Sequence, residues 1–241
     1  MRILIIRHGD PNYAIDGLTE KGQIEAELLK NRLIKEDITA VYCSVLGRAK
    51  ATIQPYLDNT KKTATYCEWL KEFDRARVKL PYLTHEKCAW DFLPEYLDSE
   101  PLLLSSDSWR NTDLIKNSNV TQCYDEVCSE FDKVLEKHGY KRDGLNYKAT
   151  KSNHDTLIFT CHFGLGSILI SHLLNCSPFA ILHHTFLAPT SVTTFYTEER
   201  VEGKAMFRSL AIGDISHLYV GNEEPSFSGR YCECFTDDTR H

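Results

Sequence analysis

Arg7 and His8 stand directly after the aliphatic run Ile3-Leu4-Ile5-Ile6 and directly before Gly9. A guanidinium offers a rigid fork of donors to an oxyanion, and an imidazole near neutral pH can attack as an uncharged nucleophile. Side by side, the two residue types suit phosphoryl transfer through a phosphohistidine, with Gly9 letting backbone or ligand come close. A three-residue string is common by chance, so this reading depends on other segments completing a phosphate site. Two segments do so. Arg48 falls in the first turn of a helix that Ser44 opens, after the β-branched run 38–43. His162 falls just before a helix that begins at Gly164, after the run 156–161. A helix start presents unpaired N–H groups and a partial positive charge, which favour an anion. Three strand ends thus bring two arginines and two histidines to one crevice.

The elements that must position these residues follow from hydrophobic patterning. Residues 3–6 are apolar without alternation, as in a strand buried on both faces of a parallel sheet. Ligands of open α/β sheets bind beyond the carboxyl ends of such strands. Residues 20–35 read as an amphipathic helix with Ala26, Leu29 and Leu33 on one face and Thr19 as its N-cap. A strand over 38–43, a helix from 44 to about 58 and a short strand over 63–67 continue a βαβαβ alternation. Residues 75–118 break the pattern with Pro81, Pro94, Pro101 and two tryptophans, and read as a cap over the site. Trp90, Asp91, Phe92 and Trp109 in this cap are the candidates for choosing the substrate. A helix over 124–138, a polar loop over 141–153, a strand over 156–161 and a helix over 164–174 follow. Strands over 191–197 and 205–211 close the pattern, and the tail from Gly221 is polar and irregular. The expectation is one domain over 1–241: an α/β protein, a three-layer α/β/α sandwich with a mostly parallel central sheet and a cap inserted at about 75–118.

Composition narrows the classes of function. A hydrophobic fraction of 42% and a charged fraction of 26% are those of an ordinary globular protein. A net charge of -6 argues against a nucleic-acid or membrane-surface binder. No stretch approaches the roughly 20 apolar residues of a membrane span, and no signal peptide is visible. The nine cysteines lack the spacing of a disulfide framework and read as reduced thiols of a cytoplasmic protein. Cys232-Glu233-Cys234 near His241 has C-x-C rather than C-x2-C spacing and no second pair, so no metal site is expected. His183-His184 reads as a solvated pair.

With these segments in view, the chain resembles the histidine phosphatase superfamily, in its phosphoglycerate-mutase-like branch. The matching pieces are Arg7-His8-Gly9, Leu18-Thr19-x-x-Gly22-Gln23-x-x-Ala26, Ser44-x-x-x-Arg48-Ala49-x-x-Thr52, and His162 after a buried strand. Each piece is weak alone; four in order, in the right strand–helix context, are specific. The resemblance covers roughly residues 1–75 and 155–220. It implies that His8 accepts the phosphoryl group while Arg7, Arg48 and His162 hold the phosphate oxygens, with no cofactor or metal. It also implies a carboxylic acid for the leaving group, which Leu70-Lys71-Glu72 assigns to Glu72, with Asp74 and Glu68 as alternatives.

Two departures bear on specificity. Phe163 replaces the glycine that commonly follows the second histidine, and Asp10-Pro11-Asn12-Tyr13 differs from the mutase continuation. Asn12 is a candidate phosphate donor, although an Asn beside a Pro is more often a turn residue. Gly213–Leu218 echoes the superfamily's closing segment, in which His217 is structural. The reading is a metal-independent phosphatase of a small phosphorylated substrate. Phosphoglycerate-mutase-type transfer and a catalytically weak phospho-ligand binding module are the alternatives.

Overall fold

The computed structural model describes residues 1–81 and 83–237. In chain order the strands and α-helices are β1 (Arg2–Arg7), β2 (Pro11–Asn12), β3 (Gly17–Leu18), α1 (Glu20–Leu33), β4 (Ala40–Ser44), α2 (Gly47–Thr60) and β5 (Ala64–Cys67). The insert carries β6 (Arg77–Val78), β7 (Lys87–Cys88), α3 (Pro94–Ser99) and α4 (Asp113–Lys116). Then come α5 (Val120–Lys137), β8 (Tyr140–Asp143), β9 (Asn146–Ala149), β10 (Thr156–Cys161), α6 (Phe163–Leu174), α7 (Pro178–His184), β11 (Val192–Val201), β12 (Lys204–Asp214) and α8 (Ser216–Val220).

Eight strands form one sheet in the order β5-β4-β10-β1-β11-β12-β9-β8. From β5 to β1 neighbouring strands run parallel; from β1 to β8 they run antiparallel. The sheet is therefore mixed. Its parallel half matches the βαβαβ alternation. Its antiparallel half comes from the hairpin β11–β12 and from β8–β9, a hairpin in the segment expected to be a polar loop. Tyr140 and Tyr147 explain that difference, because both are fully buried and anchor an otherwise charged hairpin to the sheet.

Period-two alternation along the central strands feeds two cores. Leu4, Ile6 and Ile158 face α1 and α2, packing with Leu29, Leu33, Ile53 and Tyr56. Ile3, Ile5, Leu157 and Phe159 face the other way, toward α5, α6 and the insert. A strand apolar on both faces must be covered on both, which produces the three layers. The start of α1 is capped locally: Thr19 accepts from the Gly22 amide at 3.0 Å.

The cap expectation changes in detail. Trp109 is 3% exposed and packs edge-on to Tyr124 and Phe179, so it belongs to the core rather than to a binding surface. Trp90 is partly buried and meets the Phe163 ring edge-to-face.

The tightest approach that positions the site lies at the start of α2. A Cβ on Gly47 would stand 2.1 Å from the Asp16 carbonyl oxygen, so the β2–β3 loop can rest on this helix only if residue 47 lacks a side chain. Gly47→Ala is expected to cost about 1–3 kcal/mol of stability, the usual penalty of overpacking, read as a lower urea midpoint.

Candidate active site

His8 follows the last residue of β1, and its backbone is stitched to three neighbours. Its amide donates to the Cys161 carbonyl at 2.9 Å, and its carbonyl accepts from the Thr190 amide at 3.2 Å. The next amide, Gly9, donates to Thr52 Oγ1 at 2.8 Å, and that hydroxyl donates to the Arg48 carbonyl at 2.7 Å. The loop is thus locked to β10, to the chain before β11 and to α2. His8 Nδ1 lies 2.8 Å from the Gly9 carbonyl oxygen, which fixes the proton on Nδ1 and leaves Nε2 bare. Burial, aided by the Arg7 charge, pushes the imidazole down to about 3. At neutral pH His8 is therefore an uncharged base with one free lone pair.

His162 occupies the N-cap of α6, its ring centroid 5.1 Å from that of His8. It is fully buried, and burial followed by the charges of its neighbours holds it well below the ordinary histidine range. Ser44 Oγ, at the end of β4, lies 2.9 Å from its Nε2. With the hydroxyl donating there, Nδ1 carries the proton, and Nδ1 is buried with no partner.

Arg48 sits in the first turn of α2. Its Nη1 donates to Asp16 Oδ1 at 2.7 Å, while Asp16 Oδ2 accepts from the Gly47 amide at 2.6 Å. One carboxylate from the β2–β3 loop thereby fixes both the arginine and the helix start. Those same donors hold Asp16 below the usual carboxylate range despite some desolvation. Arg7 is 4% exposed; its Nη1 donates to the Leu187 carbonyl, and its Cζ lies 5.9 Å and 5.4 Å from the Phe163 and Phe186 ring centroids. Nε of Arg7 and Nε of Arg48 are buried without partners, as is His162 Nδ1. A buried donor left unmade costs free energy that an anion restores on binding.

Glu72 approaches from the chain after β5. Its Oε1 accepts from the Phe73 amide at 2.8 Å and from the Leu165 amide, in the first turn of α6, at 3.1 Å. Burial nevertheless dominates and raises the carboxyl above its ordinary value, although Arg7 and Arg48 pull the other way. With Oε1 occupied as an acceptor, an acid proton belongs on Oε2. The two alternative carboxylates lie outside this arrangement: Glu68 pairs with Lys71 at 2.6 Å on the surface, and Asp74 is exposed.

Arg7, His8, Arg48, His162 and Glu72 are thus brought to neighbouring strand and helix ends. Asn12 instead closes a turn, its Oδ1 accepting from the Ala14 amide at 3.1 Å. His217 donates to or accepts from Thr190 Oγ1 at 3.1 Å and so buttresses the His8 loop. His183 is not a solvated residue: its Nδ1 lies 3.1 Å from the Phe179 carbonyl, and its ring packs on Phe92 and Phe179. Sequence reasoning missed Asp16, for which no local pattern exists, and read Ser44 as opening a helix, whereas it ends β4 and α2 begins at Gly47. Among the described residues no group of three His, Cys, Asp or Glu side chains could hold a metal. His241 lies outside the described residues, and all nine cysteines are free thiols. No described helix is long and apolar enough to cross a membrane.

The α/β sandwich thus gathers a bare-nitrogen histidine and buried, unpartnered cation donors at its strand ends. A family model described as histidine phosphatase superfamily (branch 1) matches residues 3–204, and the chain belongs to that family. A Schizosaccharomyces pombe protein named as a probable phosphatase is 36% identical over 67 residues, covering 24% of this chain and 32% of its own length. The chain thus aligns with about a third of that relative. Among solved structures, a mutant phosphoserine phosphatase from Entamoeba histolytica in complex with phosphoserine matches with a TM-score of 0.58 at 19% identity, covering 90% of this chain and 98% of that one. A mycobacterial glucosyl-3-phosphoglycerate phosphatase matches at 0.58 with 14% identity, over 88% and 98% of the two chains. The α-ribazole phosphatase of Shigella flexneri matches at 0.53 with 21% identity, over 88% and 97%. These likenesses share the fold.

The buried histidines have a stability consequence with a definite sign. His8 is pushed to about 3, His183 and His217 to about 4, and His162 also downward, each first by burial. As pH falls below the ordinary 6.5, the unfolded chain takes up protons that the folded chain refuses, so their stabilisation is lost from 6.5 toward 4. Glu25, raised to about 7 by burial, and Glu72, also raised, act oppositely over the range above 4.5. Four histidines against two carboxyls make the net effect a loss. The urea midpoint at pH 4.5 is expected to lie below that at pH 7.

Proposed function

We propose that this chain is a metal-independent phosphatase that hydrolyses a small phosphate monoester through a phosphohistidine on His8. One observation carries the reading: an uncharged His8 with Nε2 bare, beside three buried donor atoms (Arg7 Nε, Arg48 Nε and His162 Nδ1) that lack partners. A phosphate ester carries a charge of about -1.5 to -2 at neutral pH. Two guanidiniums and an imidazole N–H answer that charge and stabilise what develops in flight.

In the first step Nε2 of His8 attacks phosphorus; the N–P bond forms, the P–O ester bond breaks, and Glu72 gives its proton to the departing alkoxide. In the second step water attacks the phosphohistidine, Glu72 as carboxylate takes the water proton, and the N–P bond breaks to return neutral His8 and inorganic phosphate. Dividing one hard displacement into two easier ones is the gain of the covalent route. The raised Glu72 carboxyl supports its part as acid, and the depressed His8 supports attack even at mildly acidic pH. The substrate class is supported by the solved relatives, which are named for small phosphorylated metabolites such as phosphoserine and glucosyl-3-phosphoglycerate.

The chain is expected to release phosphate from p-nitrophenyl phosphate without added metal, while its activity on an alkyl phosphate should fall as pH rises past the titration of the raised Glu72 carboxyl. His8→Ala should abolish turnover, and a 32P label trapped by alkaline quench should reside on His8; turnover surviving in that variant would sink the mechanism. Glu72→Gln is expected to lower kcat by about 10²–10⁴ on alkyl phosphates, the usual share of a general acid. The loss should be much smaller on p-nitrophenyl phosphate, whose leaving group needs no proton.

A further inference from the structure

Residues 226–231, in the tail beyond α8, lie on the phosphate-binding arginine. The Ser228 carbonyl accepts from Arg7 Nη2 at 3.2 Å. The next residue, Gly229, has φ +80, and a Cβ there would stand 2.7 Å from the same nitrogen. Only glycine combines that left-handed backbone with so close an approach. Arg230 shares the Phe186 ring with Arg7, its Cζ 5.6 Å from the centroid against 5.4 Å for Arg7.

The segment is held at both ends by hydrogen bonds. The Ser226 amide donates to Glu25 Oε1 at 3.3 Å, and the Ser226 hydroxyl donates to Asp10 Oδ1. At the far end the Tyr231 hydroxyl donates to Asp91 Oδ1 in the insert at 3.0 Å. Ser226 is buried, but Gly229 and Tyr231 are exposed, so little apolar area holds the stretch between the two anchors. Segments fastened by few buried contacts open at low cost.

We propose that residues 226–231 form an autoinhibitory strap whose Ser228 carbonyl competes with the phosphate of the substrate for Arg7, so that the strap must lift for the ester to bind. The inference rests on the phosphate-site reading given under the proposed function. Its physical basis is acceptor against acceptor. A carbonyl oxygen and a phosphate oxygen both demand the N–H groups of one guanidinium, and their partial and full negative charges repel. With the strap down, Arg7 is 4% exposed, beside His8 at 2% and His162 at 0%. The strap also ties the site to the insert through Asp91, so whatever loosens the insert loosens the strap.

The test is calorimetric titration with inorganic phosphate, which needs no turnover, on the full chain, on a chain ending at Glu224, and on Tyr231→Phe. The shortened chain is expected to bind phosphate about tenfold more tightly, the worth of one hydrogen bond to a charged group. Tyr231→Phe, altered only at the rim, should shift affinity the same way by a smaller factor. In the full chain, saturating phosphate should speed hydrogen exchange of the 226–231 amides. That measurement and the Tyr231→Phe titration decide the matter if the shortened chain does not fold. Equal or weaker phosphate affinity in the folded variants, or exchange that is unchanged or slowed by phosphate, overturns the strap. A full chain that hydrolyses p-nitrophenyl phosphate alongside those results loses the strap alone. A full chain that neither binds phosphate nor hydrolyses the ester loses the functional reading and the strap with it.

Discussion

Two guanidiniums and two imidazoles crowded together out of water, with several of their donors unsatisfied, form the constraint around which this molecule is built. Such a cluster is unfavourable unless the surroundings hold it open. The protein meets the cost unequally. The histidines shed theirs by staying neutral, since burial keeps both protonated forms out of reach. The arginines cannot lose their protons, so each is given a partial partner: Asp16 for Arg48, and backbone carbonyls for Arg7. What is left over is a set of buried donor atoms without partners at the strand ends.

The sheet supplies the rigidity that this arrangement requires. β1 is central, hydrogen-bonded on one side to β10 and on the other to β11. His8 and His162 follow adjacent parallel strands in register, Arg7 lying opposite Cys161, so the distance between the two rings is set by strand spacing and not by loop conformation. The starts of α2 and α6 then deliver Arg48 and the Leu165 amide that donates to Glu72. Relocating one of these groups would require moving a buried strand or helix, which close-packed cores resist.

Around this frame the chain adds parts that have no regular pattern. The insert contributes Trp109 and Phe92 to the core and leaves Trp90 against Phe163, the residue after His162. Phe163 and Phe186 give the Arg7 guanidinium two aromatic neighbours, which share its charge without neutralising it. Asp91 joins the insert to the tail through Tyr231.

How much of this was legible beforehand differs by kind of signal. The short apolar runs at 3–6 and 156–161 read as strands buried on both faces, and the run after Thr19 as a capped amphipathic helix, so the layered α/β architecture was readable from patterning. The meeting of Arg7, His8, Arg48 and His162 at one edge of the sheet was to be expected because Arg7 ends β1, His8 and His162 follow β1 and β10, and Arg48 lies in the first turn of α2, whereas Glu72 came only from the family resemblance. The β8–β9 hairpin escaped because its strands are charged and only two buried tyrosines decide their fate. Trp109 reads as an exposed aromatic until Tyr124 and Phe179 are placed beside it. Asp16, the Ser44 hydroxyl on His162 and the tail across Arg7 join residues 32, 118 and 221 positions apart. Local order along the chain is written in the sequence because it depends on near neighbours. Which carboxylate pairs with which arginine, and which carbonyl rests on Arg7, is decided only when distant segments meet in the folded molecule.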